Sequence, residues 1–440
     1  MTLADPPTGV QALPRRTLAG YALGSLVTGS FGTVPGLLLL PYLTDTLGVA
    51  AGAAGLFVLL PKAWDVLVNP VAGRLSDRSG ARRPYLIIAG LLLGVLFAAI
   101  FAGPFSHGGA AGAYVAFSFL AAATAYAFFQ VPYVAMPAEL TSDYAERTRL
   151  MTWRVAVIAV AILVSGALAP LVVDSGGGGL TGHRWSGIFV GSLIVVGTLG
   201  AFFGTRGAQQ HTAPEPESSL RVQLATAFAN VPFRGLLLCW IVQSAGIGTL
   251  LAGVQYFADH ILEQDSGATF LFAAFVGPAL LVMPLWSRVG ARLGKLRGLI
   301  IASLLFAVGV VALLTAGVMP APFTYAFVAV VGCGYAGQQV FAMAMLPDCI
   351  AYDTARTGRR QAGVFTGLWT AGETLGLAFG PGIFALILQV FGYVSSSTGV
   401  PATQDGTAKL GVLLGFTVVP GLLVGAAVLL LRRYDDRGQR

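Results

Sequence analysis

The stretch KAWDVLVNPVAGRLSDRSGARRP, residues 62–84, lies between AAGAAGLFVLL and YLIIAGLLLGVLFAAI, two runs as apolar as a lipid tail. Lys62 and Asp65 stand three residues apart inside this apolar chain, and Arg74, Arg78, Arg82 and Arg83 follow as it ends. Charges buried in a greasy segment and cations gathered at its exit both acquire a meaning when the surrounding solvent is lipid.

Composition supports that solvent. The chain has 440 residues, 56% hydrophobic and only 10% charged, against about 25% charged in soluble domains. A membrane-spanning helix needs about 20 apolar residues. Such segments lie at 17–44, 50–73, 85–106, 111–140, 150–174, 184–204, 233–260, 267–287, 298–318, 323–347, 362–392 and 409–431. Long apolar runs exclude a β-barrel, whose strands alternate over short segments. The expectation is an all-α membrane protein with twelve transmembrane helices.

The net charge of +7 raises the question of nucleic acid, and position answers it. Of the 26 Lys and Arg residues, 22 fall at the N-terminus, in alternate loops or at the C-terminus. Arg184 and Lys409 lie on the opposite side, and Lys62 and Arg154 lie within helices. This is the positive-inside bias. It implies a multi-pass protein of the inner (plasma) membrane with both termini cytoplasmic, bound to lipid and not to nucleic acid. Cys239, Cys333 and Cys349 have no metal-ligand spacing and read as small packing residues. GCGYAG (332–337) and GLAFGPG (376–382) lack the Lys-Ser/Thr of a phosphate loop and suit close helix approach instead.

The chain repeats itself. Shifted by 214 residues, PVAGRLSDRSGARRPYLI (70–87) falls on PLWSRVGARLGKLRGLII (284–301), pairing Pro70 with Pro284, Arg74 with Arg288 and Arg83 with Arg297. At a similar offset MPAELTSDYAERTR (136–149) falls on LPDCIAYDTARTGR (346–359). The matches pair the loop after helix 2 with that after helix 8, and the loop after helix 4 with that after helix 10. Two parallel, pseudo-symmetric six-helix halves follow. The expected division is a tail at 1–16, bundles at 17–204 and 233–431, a linker with a surface helix at 205–232, and a second tail at 432–440.

GRLSDRSGARRP (73–84) resembles the signature loop of the major facilitator superfamily. YLTD (42–45), Trp64-Asp65 followed by Asn69-Pro70, VPY (131–133) and the ER…L…WR pattern (146–154) resemble the melibiose-permease-like glycoside–pentoside–hexuronide:cation symporters. The resemblance implies alternating access around a central cavity and no cofactor beyond a coupling ion. It is similar to that family across both halves, but several family side chains are replaced. The family's second acid on helix 2 is Asn69, and its helix 4 hydroxyl falls near Ala127. Its acids on helices 1 and 4 fall near Gly29 and on Gln130, the aromatic that follows falls on Val134, and its helix 11 lysine falls on Thr374 beside Glu373.

Candidate residues come from charge placed in lipid. Lys62, Asp65 and Asn69 share one helix face and form the expected cation-coupling set. One carboxylate and one amide make a poor sodium cage, because hard cations want several oxygen ligands; a proton is favoured and sodium stays open. Arg154 matches the family arginine that meets sugar hydroxyls. With Gln130, Tyr133, Gln338, Trp369, Thr370 and Glu373 it makes the expected substrate set. Asp77, Arg78, Arg82, Arg83, Asp143, Glu146 and Asp353 are expected to form a cytoplasmic gate of charge-assisted hydrogen bonds. The expected protein is a monomeric secondary transporter of a sugar, glycoside or related small solute. A proton-driven exporter of an amphipathic or cationic compound and a non-transporting receptor or lipid scrambler remain alternatives. No metal-ligand cluster or Ser/His/Asp set points to an enzyme.

Overall fold

A computed structural model describes residues 13–79, 83–141, 144–206, 228–264, 266–358, 362–396 and 402–433. Most of the expected linker and tails, Arg82 and Asp143 lie outside the described residues, as do the side chains of Asp77 and Arg78. Among the described residues, twelve helices are long and apolar enough to cross a membrane. In the first half they are α1 (Arg15–Thr46), α2 (Ala51–Ser79), α3 (Arg83–Phe101), α4 (Gly108–Leu140), α5 (Tyr144–Ser175) and α6 (Gly179–Gly204). In the second they are α7 (Val231–Leu262), α8 (Gly267–Leu293), α9 (Lys295–Thr315), α10 (Ala321–Thr357), α11 (Ala362–Val390) and α12 (Gly406–Leu431).

The two halves are packed by one plan. Within the first, α1 packs on α5 and α6, α2 on α4, and α3 on α4 and α6. Within the second, α7 packs on α11 and α12, α8 on α10, and α9 on α10 and α12, each pair six helices further on. The interface between halves keeps the same symmetry, with α2 on α11, α5 on α8, and α1 on α7. Both first helices of the halves, α1 and α7, finish in a π-helical turn, Tyr42–Thr46 and Ala258–Leu262.

Close approach relies on glycine. A Cβ on Gly380 of α11 would overlap the backbone of Gly248 on α7, and one on Gly20 of α1 would overlap Gly204 of α6. Small residues at such crossings let helices reach van der Waals contact where lipid offers no hydrophobic drive for association. In α12 Pro420 cannot donate to the Phe416 carbonyl, and the helix breaks at Thr417 (φ −114°, ψ −72°).

The described hydrogen bonds between halves gather away from the arginine-rich loops. Tyr393, just after α11, donates to Asp45 of α1 at 2.7 Å, and the Thr44 and Tyr256 hydroxyls meet at 2.6 Å. Ser396 donates its backbone N–H to Thr44 O at 3.0 Å, and Ser395 Oγ donates to Val49 O at 2.9 Å. Thr269 of α8 donates to Ala167 O of α5 at 3.0 Å. At the arginine-rich end the described bonds stay inside each half. Arg83 donates to Phe202 O at 2.8 Å, Leu13 N–H to Glu146 at 3.0 Å, and Lys295 pairs with Asp348 at 2.6 Å.

Candidate functional site

Asp65 lies mid-way along α2, 6% exposed, and its Oδ1 finds no hydrogen-bond partner. Lys62, one turn earlier, stands within electrostatic reach of it, yet no ion pair between them lies within 4.0 Å among the described residues. A carboxylate held this way is available to another partner. Below it, Val68 and Ala72 of α2 pack on Ala127 of α4, so Ala127 fills space where the resemblance called for a hydroxyl. Polar groups enter one turn away: Trp64 donates its indole N–H to Thr124 Oγ1 at 3.0 Å. Asn69 is half-buried, and the Oε1 of half-buried Gln130 has no partner.

Tyr126 of α4 joins what the sequence reading left separate. Its ring stacks on Phe31 of α1 at 4.4 Å, and its hydroxyl feels Asp65, Arg154 and Glu373 together. The coupling candidate, the arginine and the carboxylate of the second half therefore share one central region. Tyrosine is common enough in apolar helices that nothing in its spacing singled it out.

Arg154 projects from α5 with its guanidinium 5.6 Å from the centre of the Tyr133 ring, and its Nε has no partner. Tyr133 has no exposed surface. It donates to Tyr21 O at 2.7 Å, shares a 3.1 Å bond with Ser25 and stacks on Tyr21 at 4.7 Å. Tyr133, expected as a substrate contact, is thus fully buried with its ring beside the Arg154 guanidinium.

In the second half, α7, α10 and α11 line a small pocket in which Glu373 is the only charged lining residue among the described residues. Trp369 is 2% exposed and stacks on Trp240 at 4.9 Å and 16°, so its ring serves packing; its Nε1 has no partner. Gln338 is 1% exposed with Nε2 unpartnered. Thr370 is exposed on the same helix.

Of the expected gate, Arg83 lies over Phe202, Glu146 pairs with Arg149 at 3.4 Å, and buried Asp353 pairs with Arg356 at 3.1 Å. Each of these contacts is made within one half. The opposite end holds the groups that sequence reading did not assign. With the Tyr393 proton directed at Asp45, the Tyr393 oxygen accepts from His260 Nε2 at 2.8 Å. Asp259 accepts from Gln255 at 3.0 Å. A signal for this cluster was present: at the same 214-residue shift YLTD (42–45) falls on YFAD (256–259), pairing Asp45 with Asp259.

The family model described as MFS/sugar transport protein matches residues 20–435. The putative glycoside/cation symporter YagG of Escherichia coli (strain K12) is 26% identical, over 94% of this chain and 90% of that protein. The glucuronide carrier protein homolog of the same organism is also 26% identical, over 96% of this chain and 92% of its own. Among solved structures, a mutant of the nucleoside transporter NupG superposes with a TM-score of 0.71 at 12% identity, covering 95% of this chain and 99% of that one. That likeness shows the fold.

Proposed function

The chain belongs to the MFS/sugar transport protein family, and on that premise we propose that it imports a sugar, glycoside or related small organic solute by symport with a cation. It is a multi-pass membrane transporter of the major facilitator fold, and not an enzyme. The observation that carries the proposal is the central arrangement. Asp65 is buried with an unpartnered oxygen, and Tyr126 stands within electrostatic reach of it, of Arg154 and of Glu373, with Gln130 one turn further along α4. A carboxylate without a fixed partner can take up and release a cation as its surroundings change.

In this reading Asp65 is the coupling group, with Lys62 and Asn69 on its helix face. Arg154, Gln130, Gln338, Thr370 and Glu373 contact solute, while Tyr133 and Trp369 hold the contacts in place. One carboxylate beside an amide and an ammonium favours a proton over sodium, since sodium needs a cage of oxygens. The arginine-rich loops face the cytoplasm of a cell whose inner membrane holds the protein, which makes the sealed end extracytoplasmic. The state described here is then closed to the outside. The residues Asp77, Arg78, Arg82, Arg83, Asp143, Glu146 and Asp353 would form the cytoplasmic gate in the opposite state.

Reconstituted vesicles test this. Uphill glycoside uptake driven by an imposed pH gradient supports proton symport, and uptake driven only by a sodium gradient supports the other ion. Proton-driven extrusion of an organic cation, with no glycoside uptake, overturns the proposal in favour of export.

A further inference from the structure

The sealed end, where α1 and α7 finish, contains a group that its own symmetry does not require. The 214-residue shift that sets Tyr42 on Tyr256 and Asp45 on Asp259 sets buried Thr46 on His260. Where one π turn carries a hydroxyl, the other carries an imidazole. That imidazole is 8% exposed and is bonded into the contact between halves. Its Nε2 lies 2.8 Å from the Tyr393 hydroxyl, which reaches Asp45 of the first half at 2.7 Å. Because the Tyr393 proton goes to Asp45, the ring hydrogen sits on Nε2, and Nδ1 is the atom left to take a further proton.

The closed end is a poor place for that proton. An imidazolium removed from water needs a carboxylate free to answer it. Asp45 already accepts from Tyr393, and Asp259 from Gln255 at 3.0 Å, with Asp174 of α5 within electrostatic reach of Asp259. Glu263 is paired with Lys409 of α12 at 2.7 Å, and that ammonium also stands within electrostatic reach of the ring. Asp405 is spent on the Ala408 N–H at 2.7 Å, and α8 enters as GATFLFAAF, without a titratable group. Asp45 and Asp259 attract a proton to the ring; its burial and the Lys409 ammonium oppose one. For charges taken out of water together, desolvation commonly exceeds the attraction gained. Opening this end returns the ring to water, so the open state holds the proton better.

We propose that His260 is a pH sensor for this seal: a proton taken up from the outer solution loosens the His260–Tyr393–Asp45 chain and shifts the protein toward the state open at this end. A ligand moves a two-state equilibrium toward the state that binds it better, and the proton is such a ligand. The Thr44–Tyr256 and Ser396–Thr44 bonds do not titrate near neutral pH and remain, so the response is graded. The sensor acts whatever the solute or coupling ion. It rests only on the reading above that the arginine-poor end faces outward.

Thiol labelling tests the sensor. With Cys239, Cys333 and Cys349 replaced, Ala385→Cys, buried on α11 against Gly55 of α2, reports opening. Its labelling rate in detergent is measured with His260 present and with His260→Gln, whose amide keeps a donor toward Tyr393. The ratio of the two rates cancels the titration of the thiol itself. That ratio should rise about fivefold between roughly pH 8 and pH 5.5, the range in which an imidazole charges. A ratio that stays level or falls overturns the inference. Right-side-out vesicles with a buffered interior then test the side. The same rise on acidifying only the outside supports the proposal. A rise in detergent with none on external acidification overturns the outward orientation, and with it the sensing of outer pH. If His260→Gln does not fold, His260→Asn is read in the same way.

Discussion

Asp65, Arg154 and Glu373 show how the meaning of a charge depends on what stands beside it. Asp65 shares a helix face with Lys62 but is not locked to it, so it can bind a mobile cation. Asp65→Asn should abolish gradient-driven accumulation, lowering it at least tenfold, while solute counterflow persists. Accumulation that survives would remove Asp65 from coupling. Arg154 depends on Tyr133, whose ring lies under the guanidinium and whose hydroxyl bonds Tyr21 and Ser25 while standing within reach of Arg154. Tyr133→Ala should therefore reduce exchange about as severely as Arg154→Ala, whereas Tyr133→Phe, which keeps the ring, should stay within about threefold of wild type. Exchange rates of the three variants in one vesicle preparation decide the matter. If Tyr133→Phe is as damaged as Tyr133→Ala, the hydroxyl and not the ring is the contact. Sequence could point to Lys62, Asp65, Arg154 and Glu373 because an ionised group in lipid is expensive and so conspicuous. Tyr126, Trp240 and Tyr133's supporting role were not legible, because an aromatic residue in an apolar helix carries no such cost and acquires its part only through packing.

At the scale of the helix, apolarity located every span but not every end. The segment expected at 323–347 is helical over Ala321–Thr357, and the one expected at 184–204 begins at Gly179. Hydropathy reports where lipid stops, while the i to i−4 hydrogen bonds of a helix continue into water when nothing ends them. After α10 the end comes only at Gly358, whose φ of 69° suits a C-terminal glycine. Helix crossings were legible in outline, as glycine-rich runs, but not which glycine meets which. The α7–α11 crossing places Gly248 against Gly380, and α11 also carries Trp369 and Glu373. Gly380→Val should destabilise the protein by about 1–3 kcal/mol through overpacking and should depress exchange by displacing Glu373. Gly367→Ala on the same helix, where a Cβ meets nothing within 4 Å, should be silent. Thermal unfolding in detergent separates them, and equal melting temperatures would mean that the crossing yields without strain.

For the whole molecule, the repeat in the sequence becomes a repeat in the packing, and the working question is which end is shut. Apart from the Thr269–Ala167 bond between α8 and α5, the described inter-half hydrogen bonds lie where α1 and α7 finish in matching π turns, and the paired carboxylates Asp45 and Asp259 sit on those turns. Tyr393 is central to this seal. Burial first, and the negative charge of Asp45 next, hold its phenol far above the ordinary range, so it stays a donor. A hydrogen bond to a charged group contributes about 1.5–3 kcal/mol, equivalent to a factor of about 10–150 in a two-state equilibrium. Tyr393→Phe should therefore shift the population toward states open at this end by roughly that factor, less whatever the Thr44–Tyr256 and Ser396–Thr44 bonds retain. Ala385, fully buried on α11 against Gly55 of α2, reports the change. In a background with Cys239, Cys333 and Cys349 replaced, Ala385→Cys should react with an impermeant thiol reagent about tenfold faster once Tyr393 is Phe. Asp45→Asn, whose amide oxygen can still accept from Tyr393, should accelerate labelling less. Equal labelling in all three backgrounds would show that the seal is held by helix packing and that the Tyr393–Asp45 bond is incidental to it.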